Sequence, residues 1–230
     1  LLDRLRYAHL WRVWNFIPRI NEIENGLERY RQFNIHRQMA FAESGRAIAG
    51  NVPAASAVGT AGGALTLYFI AGRSAPLAIE NPRQTAAYHY PLAYGPRSPI
   101  FSRANIVDCS GEELLFISGT ASIVGHHTLH ADDVAAQTRE LLANIDSLLD
   151  AANTSAKRRK FTRGDLAYKV YARRPRDIDT IRAEIERWLG AVPDAIYLQA
   201  DICRAELLVE VEASGGHDKE IIDNTGTTRA

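Results

Sequence analysis

DLAYKVYARRPRDIDTIRAEIERWLG, residues 165–190, is the stretch on which the fold turns. Asp165 to Arg173 reads as a strand, bounded by Gly164 on one side and a basic turn on the other. Pro175 then opens a helix, because a proline in the first turn forfeits no helical hydrogen bond. Ile178, Ile181, Ile185, Trp188 and Leu189 recur at helical spacing until Gly190 ends it. A strand passing straight into an amphipathic helix calls for a sheet that the helix can cover. Upstream, Leu114–Ile123 (LLFISGTASI) is a further apolar strand. Behind Asp132 and Asp133, the segment Ala131–Ala152 carries Val134, Leu141, Leu142, Ile145, Leu148 and Leu149 on one helical face. Downstream, Ala195–Gln199 and Glu206–Ala213 add two strands. The order β-α-β-α-β-β predicts an α+β fold, mixed sheets with helices packed on one sheet face.

The first half is less regular. Leu10–Phe16 and Gly26–Phe41 have helical or mixed patterning, and Pro53–Gly59 and Ala64–Gly72, joined by Thr60–Gly63, read as a hairpin. Charge divides the chain near the same point. Residues 1–107 hold 12 Arg, no Lys and 6 acids, whereas residues 108–230 hold 15 Lys and Arg against 21 acids, so a net charge of zero conceals a basic and an acidic half. The expected organisation is an N-terminal lobe over 1–107, a C-terminal domain over 108–213 and a flexible tail over 214–230, where no apolar period is sustained.

With 230 residues and 46% apolar content, the chain can bury a substantial core. Cys109 and Cys203 form no disulfide framework, and no apolar run approaches the ~20 residues that cross a bilayer. The default location is cytoplasmic, with no membrane partner. A basic half made only of Arg favours bidentate recognition of carboxylate or phosphate. Nucleic acid is not the expected partner, because the one dense basic run, Lys157–Lys160, sits in the acidic half and reads as a solvated loop. The chain opens on Leu1 without a charged leader, and an N-terminal portion is expected to precede it.

Three segments bear on chemistry. Ile79–Ala104 places Arg83, Arg97 and Arg103 among Tyr88, Tyr90, Tyr94 and four prolines. Proline stiffens the loop, Arg offers a planar fork of donors and Tyr a hydroxyl on a rigid ring, a set suited to a preorganised pocket for a small carboxylated ligand. In Glu206–Ala213 (ELLVEVEA), Leu207, Val209 and Val211 point one way, and Glu206, Leu208, Glu210 and Glu212 the other. Left in water, those glutamates are an ordinary solvated face; covered by another lobe, one of them becomes a general acid as burial raises its pKa. His126, His127 and His130 lack the intervening Glu of a metalloprotease helix, so no metal is expected there. Cys203 has no evident His partner, and no phosphate loop or dinucleotide fingerprint is present, so no cofactor is expected.

Together the segments resemble a known family. LFISGTASIVG, DDVAAQTRELLANIDSLL and LLVEVEA are similar to the RidA/YjgF-like domain, whose members hold small carboxylates between neighbouring lobes. HLWRVWNFIPRIN, GLERYRQFN, ALTLYFIAG and the long block from Glu80 to Ala104 resemble the chorismatases, which remove pyruvate from chorismate. The resemblance implies two RidA/YjgF-like lobes in one chain, closing a cleft without a trimer partner, hence a monomer. It implies that Arg29, Tyr30, Arg83, Tyr90, Tyr94, Arg97 and Arg204 grip chorismate, and that Glu210 protonates its methylene carbon. Ala121 and Cys203 would steer the product between a dihydroxycyclohexadiene carboxylate and 3-hydroxybenzoate. Cys203 favours the second and Ala121 the first. A RidA-type enamine or imine deaminase and a non-catalytic carboxylate-binding protein are the competing readings.

Overall fold

A computed structural model of the chain describes residues 2, 4–217, 221–222 and 228–229. Its main strands are β1 (His9–Pro18), β2 (Ala54–Thr60), β3 (Thr66–Gly72), β4 (Leu77–Ile79), β5 (Ala104–Cys109), β6 (Glu112–Thr120), β7 (Leu166–Ala172), β8 (Ala195–Gln199), β9 (Asp201–Ile202) and β10 (Val209–Gly215). The helices are α1 (Arg29–Glu43), α2 (Val134–Ser155) and α3 (Ile178–Leu189). They form a four-stranded sheet in the order β9-β2-β1-β3 and a six-stranded sheet in the order β8-β7-β10-β6-β5-β4. The fold is α+β with mixed sheets, as expected.

The second sheet follows the sequence pattern closely. Asp133 caps α2 by accepting from the Ala136 amide at 2.9 Å, and Gly190 ends α3 at a φ of 73°, a left-handed turn that costs glycine little. Between them, Leu141, Leu142, Ile145, Leu148 and Leu149 of α2 and Ile181 and Ile185 of α3 pack on Val170 of β7 and Val209, Val211 and Ala213 of β10. Each such side chain contributes roughly 1.5–3 kcal/mol when fully buried, so this layer carries most of the apolar stabilisation. Strand β10 starts at Val209 rather than Glu206. Glu206 lies in the preceding turn, where its carboxylate accepts from Thr128 Oγ1 at 3.0 Å.

The first half departs from expectation. Leu10–Phe16 is part of strand β1, and the hairpin between β2 and β3 does not form, because β1 lies between them, parallel to β2 and antiparallel to β3. The physical reason is that both faces of β1 are covered. Arg12 and Phe16 face the second sheet, whereas Asn15 on the opposite face accepts a hydrogen bond from Arg37 of α1. A strand buried on both sides belongs in the middle of a sheet. Sheet membership also crosses the expected boundary at residue 107. That boundary falls inside β5, β4 and β5 belong to the second sheet, and β9 joins the first. The expected tail, 214–230, begins inside β10, and most of it lies outside the described residues.

The two sheets face each other, and polar groups join them. Ser118 Oγ of β6 accepts from the Ala55 amide of β2 at 2.8 Å and donates to the Ser102 carbonyl at 2.6 Å. Asn105 Nδ2 of β5 reaches the Trp11 carbonyl at 3.0 Å. Apolar contact comes from Tyr171 of β7 against Val58 and Phe16. The glutamate-bearing face of β10 is therefore an interior surface.

Ile145→Ala, at a fully buried position on the sheet-facing side of α2, is expected to lower the unfolding free energy by about 2–5 kcal/mol. Ile196→Ala on the exposed edge strand β8 should change it by less than ~0.5 kcal/mol. Urea titrations of both variants check the contrast, and equal losses would mean that the helix-covered layer does not dominate stability.

Candidate active site

Glu210 and Glu212 project from the same face of β10 toward the first sheet, and both are 4% exposed. Their surroundings are opposite. Glu212 Oε2 accepts from Arg12 at 2.7 Å and from the Ser56 hydroxyl, while Oε1 accepts from Trp14 Nε1 at 2.7 Å and lies 3.1 Å from Lys169 Nζ. Burial alone would raise its pKa, but Arg12, Ser56, Lys169 and Trp14 outweigh it and hold the carboxyl below the usual range. Glu210 Oε1 is buried without any hydrogen-bond partner. Burial first, and the neighbouring Glu212 charge second, push Glu210 up to about 8, with Arg12 pulling the other way. At neutral pH the pair is one ionised carboxylate and one carboxylic acid.

Space for the Glu210 carboxyl comes from Gly119 of β6. A Cβ at that position would stand 2.0 Å from Glu210 Oε1. The strand is also bulged here. Val211 pairs with Thr120 and Ala213 with Ile117, so Ser118 and Gly119 together oppose Glu212. Such bulges re-aim side chains beside functional sites.

The acid lies at the junction of two connected chambers that share Tyr30, Pro99, Phe101, Gly119, Cys203 and Glu210 as walls. The outer one is completed by Tyr90, Tyr94, Arg31, Arg103, Ala121 and Arg204. The inner one runs to Asn34 and Arg37. Helix α1 builds the inner wall with Tyr30, Phe33, Asn34 and Arg37, the i, i+3, i+4, i+7 positions of one face. Asn34 Nδ2 is buried and unpartnered; Arg37 donates to Asn15 Oδ1 at 2.9 Å and to the Ile100 carbonyl at 3.3 Å. Burial lowers Arg37 to about 10, which leaves it a cation at neutral pH.

In the outer chamber, Arg204 is fixed by the His126 carbonyl at 2.9 Å and Thr128 Oγ1 at 3.0 Å, and lies 4.0 Å above the centre of the Tyr94 ring. Its Nη2 is buried and unpartnered. Arg103 donates to the Thr85 carbonyl at 2.7 Å and to Tyr90 Oη at 2.8 Å, and its Nε is likewise free. The cavity therefore presents two anchored guanidinium groups with spare donors, a neutral acid and tyrosine hydroxyls. Burial pushes the Cys203 thiol up to about 12 and Tyr30 well above its ordinary value, so neither is an anionic nucleophile at neutral pH.

Of the residues expected to form the site, the cavity gathers Tyr30, Tyr90, Tyr94, Ala121, Cys203, Arg204 and Glu210. Three expected arginines stand elsewhere. Arg29 points off the other side of α1, toward Glu24 at 2.9 Å and the Pro18 carbonyl at 3.0 Å. Arg83 ties the Pro-rich segment to α2 through Glu140 and Asn144. Arg97 is exposed on the outer surface of that segment. Arg103 of the Pro-rich segment does line the cavity, as the pocket reading of that segment expected, and it is joined by Arg31, Arg37, Asn34 and Gly119, which the sequence did not assign to the site. Helical phase from Tyr30 leads to Asn34 and Arg37, and a glycine inside a strand is itself a sign of close approach. His126 stacks on His127 at 4.0 Å, and among the described residues no group of three His, Cys, Asp or Glu is placed to hold a metal ion.

Residues 1–71 match the family model described as chorismatase FkbO/Hyg5-like, N-terminal. A 3-hydroxybenzoate synthase of Streptomyces hygroscopicus is 39% identical over 221 residues, covering 92% of this chain and 65% of its own. A chorismatase of Streptomyces rapamycinicus is 41% identical over 219 residues, with the same two coverages. A chorismatase crystal structure superimposes with a TM-score of 0.85 at 37% identity, over 93% of this chain and 66% of that one. The chain thus spans about 65% of the length of the curated relatives it matches. Identity sustained over nearly the whole chain, together with a shared backbone, makes the chorismatases the family to which this chain is similar.

Proposed function

We propose that this chain carries the active site of a chorismatase, which cleaves the enolpyruvyl ether of chorismate and releases pyruvate. The observation that carries the reading is Glu210, a buried acid with an unpartnered oxygen, held neutral at the junction of two chambers with cations at both ends. Chorismate has a ring carboxylate, an enolpyruvyl carboxylate and a vinyl ether between them. One carboxylate meets Arg204 and Arg103 in the outer chamber, the other meets Arg37 and Asn34 in the inner one, and the vinyl group comes beside Glu210. Charge-assisted bonds from anchored guanidinium groups orient the substrate at little further entropic cost.

Glu210 gives its proton to the methylene carbon, which becomes the methyl group of pyruvate. The electron pair of the double bond forms the new C–H bond and leaves an oxocarbenium ion at the ether carbon. The Glu210 carboxylate and the Tyr30 hydroxyl stand beside that cation, and a preorganised polar wall of this kind stabilises developing charge. Two endings balance. If water adds to the cation, the hemiketal collapses to pyruvate and a dihydroxycyclohexadiene carboxylate. If the neighbouring ring hydroxyl oxygen instead displaces the protonated side chain at the ring carbon, that carbon's bond to the ether oxygen breaks and pyruvate leaves with the ether oxygen as its ketone; the resulting epoxide opens with loss of the ring proton and the ring aromatises, giving 3-hydroxybenzoate without net water. Ala121 and Cys203 lie on one wall of the outer chamber, where the choice between these endings is made. The reading is of a monomer, with both sheets of the chain supplying walls of the chambers.

Pyruvate release from chorismate by the purified protein tests the whole reading, and a folded protein that releases none would end it. Glu210→Gln is expected to retain binding while turnover falls by about 10²–10⁴; full turnover in this variant would reassign the acid. Because the acid form is the working one, kcat/KM in the wild-type protein should be flat at neutral pH and fall as pH rises through about 8. An alkaline limb that stays absent through pH 10 would contradict the assignment.

The rearranged grip gives a second expectation. Arg204→Ala should weaken chorismate binding by roughly 10- to 100-fold, the loss of one desolvated charge-assisted contact. Arg83→Ala and Arg97→Ala should stay within about twofold of wild type, since neither guanidinium lines the cavity. Titration calorimetry of the three variants with chorismate measures the difference, and the reverse ranking would restore the Pro-rich arginines to the site.

A further inference from the structure

We infer that Glu212 is a positioning residue for the reaction: by engaging the buried Arg12 guanidinium, it keeps Glu210 in the neutral, proton-donating form. This inference rests on the reading of Glu210 as the acid. Arg12 is only 1% exposed, and its Nη2 is turned to Glu212 Oε2 and the Ser56 hydroxyl. A buried guanidinium without a counter-ion is among the costliest arrangements in a protein interior. Were Glu212 uncharged, the carboxyl available to compensate Arg12 would be Glu210, two residues along the same strand face. Glu210 would then ionise, and the proton needed by the substrate would be lost.

The other groups around Glu210 do not replace this effect. Tyr30 of α1, Tyr171 of β7 and Cys203 of the loop before β10 are kept neutral, because burial raises each of them. Strand β6 contributes only Gly119 at the contact. The cavity walls add Arg103, Arg204 and the Arg31–Glu28 ion pair in the outer chamber and Arg37 in the inner one. Arg12 and Glu212 are the charges that act on the acid most directly. Lys169, 30% exposed and paired with Glu212 across the β7–β10 ladder, partly offsets the Glu212 charge from the solvent side.

The test reads the Glu210 carboxyl directly, by NMR titration of protein labelled with ¹³C at glutamate side-chain carboxyls, with Glu210→Gln assigning the resonance. In wild type the resonance is expected to titrate near pH 8. In Glu212→Gln it should move down by about one pH unit or more, and the alkaline limb of pyruvate release should move down with it. Lys169→Met leaves both buried partners in place and should move the titration up, which keeps the test decisive if Glu212→Gln does not fold. A clamp that only joins the sheets would alter stability and leave the titration where it was. An unmoved Glu210 resonance in a folded Glu212→Gln or Lys169→Met protein would overturn the inference. A resonance that moves while pyruvate release keeps its pH profile would instead count against Glu210 as the acid, so the two failures are distinguishable.

Discussion

The contact between Arg12 and Glu212 joins the two sheets of this protein through one buried ion pair. Buried pairs of this sort contribute little net stability, because desolvation cancels most of the attraction. Their value here is geometric. The pair fixes β1 over β10 with Ser56, Trp14 and Lys169 gathered around a single carboxylate. That placement closes the sheet face on which Glu210 stands. Apolar packing by α2 and α3 stabilises one side of the second sheet, and polar contacts define what faces the other.

The chemistry follows from the same contrast. Two glutamates on one strand, equally buried, differ in protonation because one receives four donors and the other has a bare oxygen. No special residue is needed to make an acid that works near neutral pH. Dehydration supplies the upward push, and a neighbouring negative charge adds to it. The anchored guanidinium groups follow a related rule. Arg103 and Arg204 each use part of their donor set on carbonyl or hydroxyl oxygens and keep a buried nitrogen unpartnered, so they are rigid before any ligand arrives.

Legibility in the sequence tracked the range of the interactions. Helices α2 and α3 and the alternation of β10 were readable because each pattern is local and one face is uniformly apolar. Strand β1 was not, since its Arg12 and Trp14 face a partner sheet whose polar groups lie some 200 residues away in the chain. The false hairpin between β2 and β3 came from the same source, a third strand arriving between neighbours in sequence. Within the site, the strand alternation offered Glu210 only together with Glu206 and Glu212, and of the lining arginines Arg103 and Arg204 were among the expected groups whereas Arg31 and Arg37 were not. Which guanidinium faces a cavity depends on what else is near enough to pair with it. Glu24 draws Arg29 away, and Glu140 and Asn144 draw Arg83 away.

Gly119 bears on how this site can change over generations. Every other amino acid carries a Cβ, and at this position that atom would fall on the Glu210 carboxyl. The codon is consequently closed to gradual exploration, because even the smallest step, to alanine, displaces the Glu210 carboxyl. Ala121, two residues further along the same segment, lines the outer chamber without that constraint. Change in the shape of the pocket is thereby channelled to its far wall, while the strand behind Glu210 stays fixed.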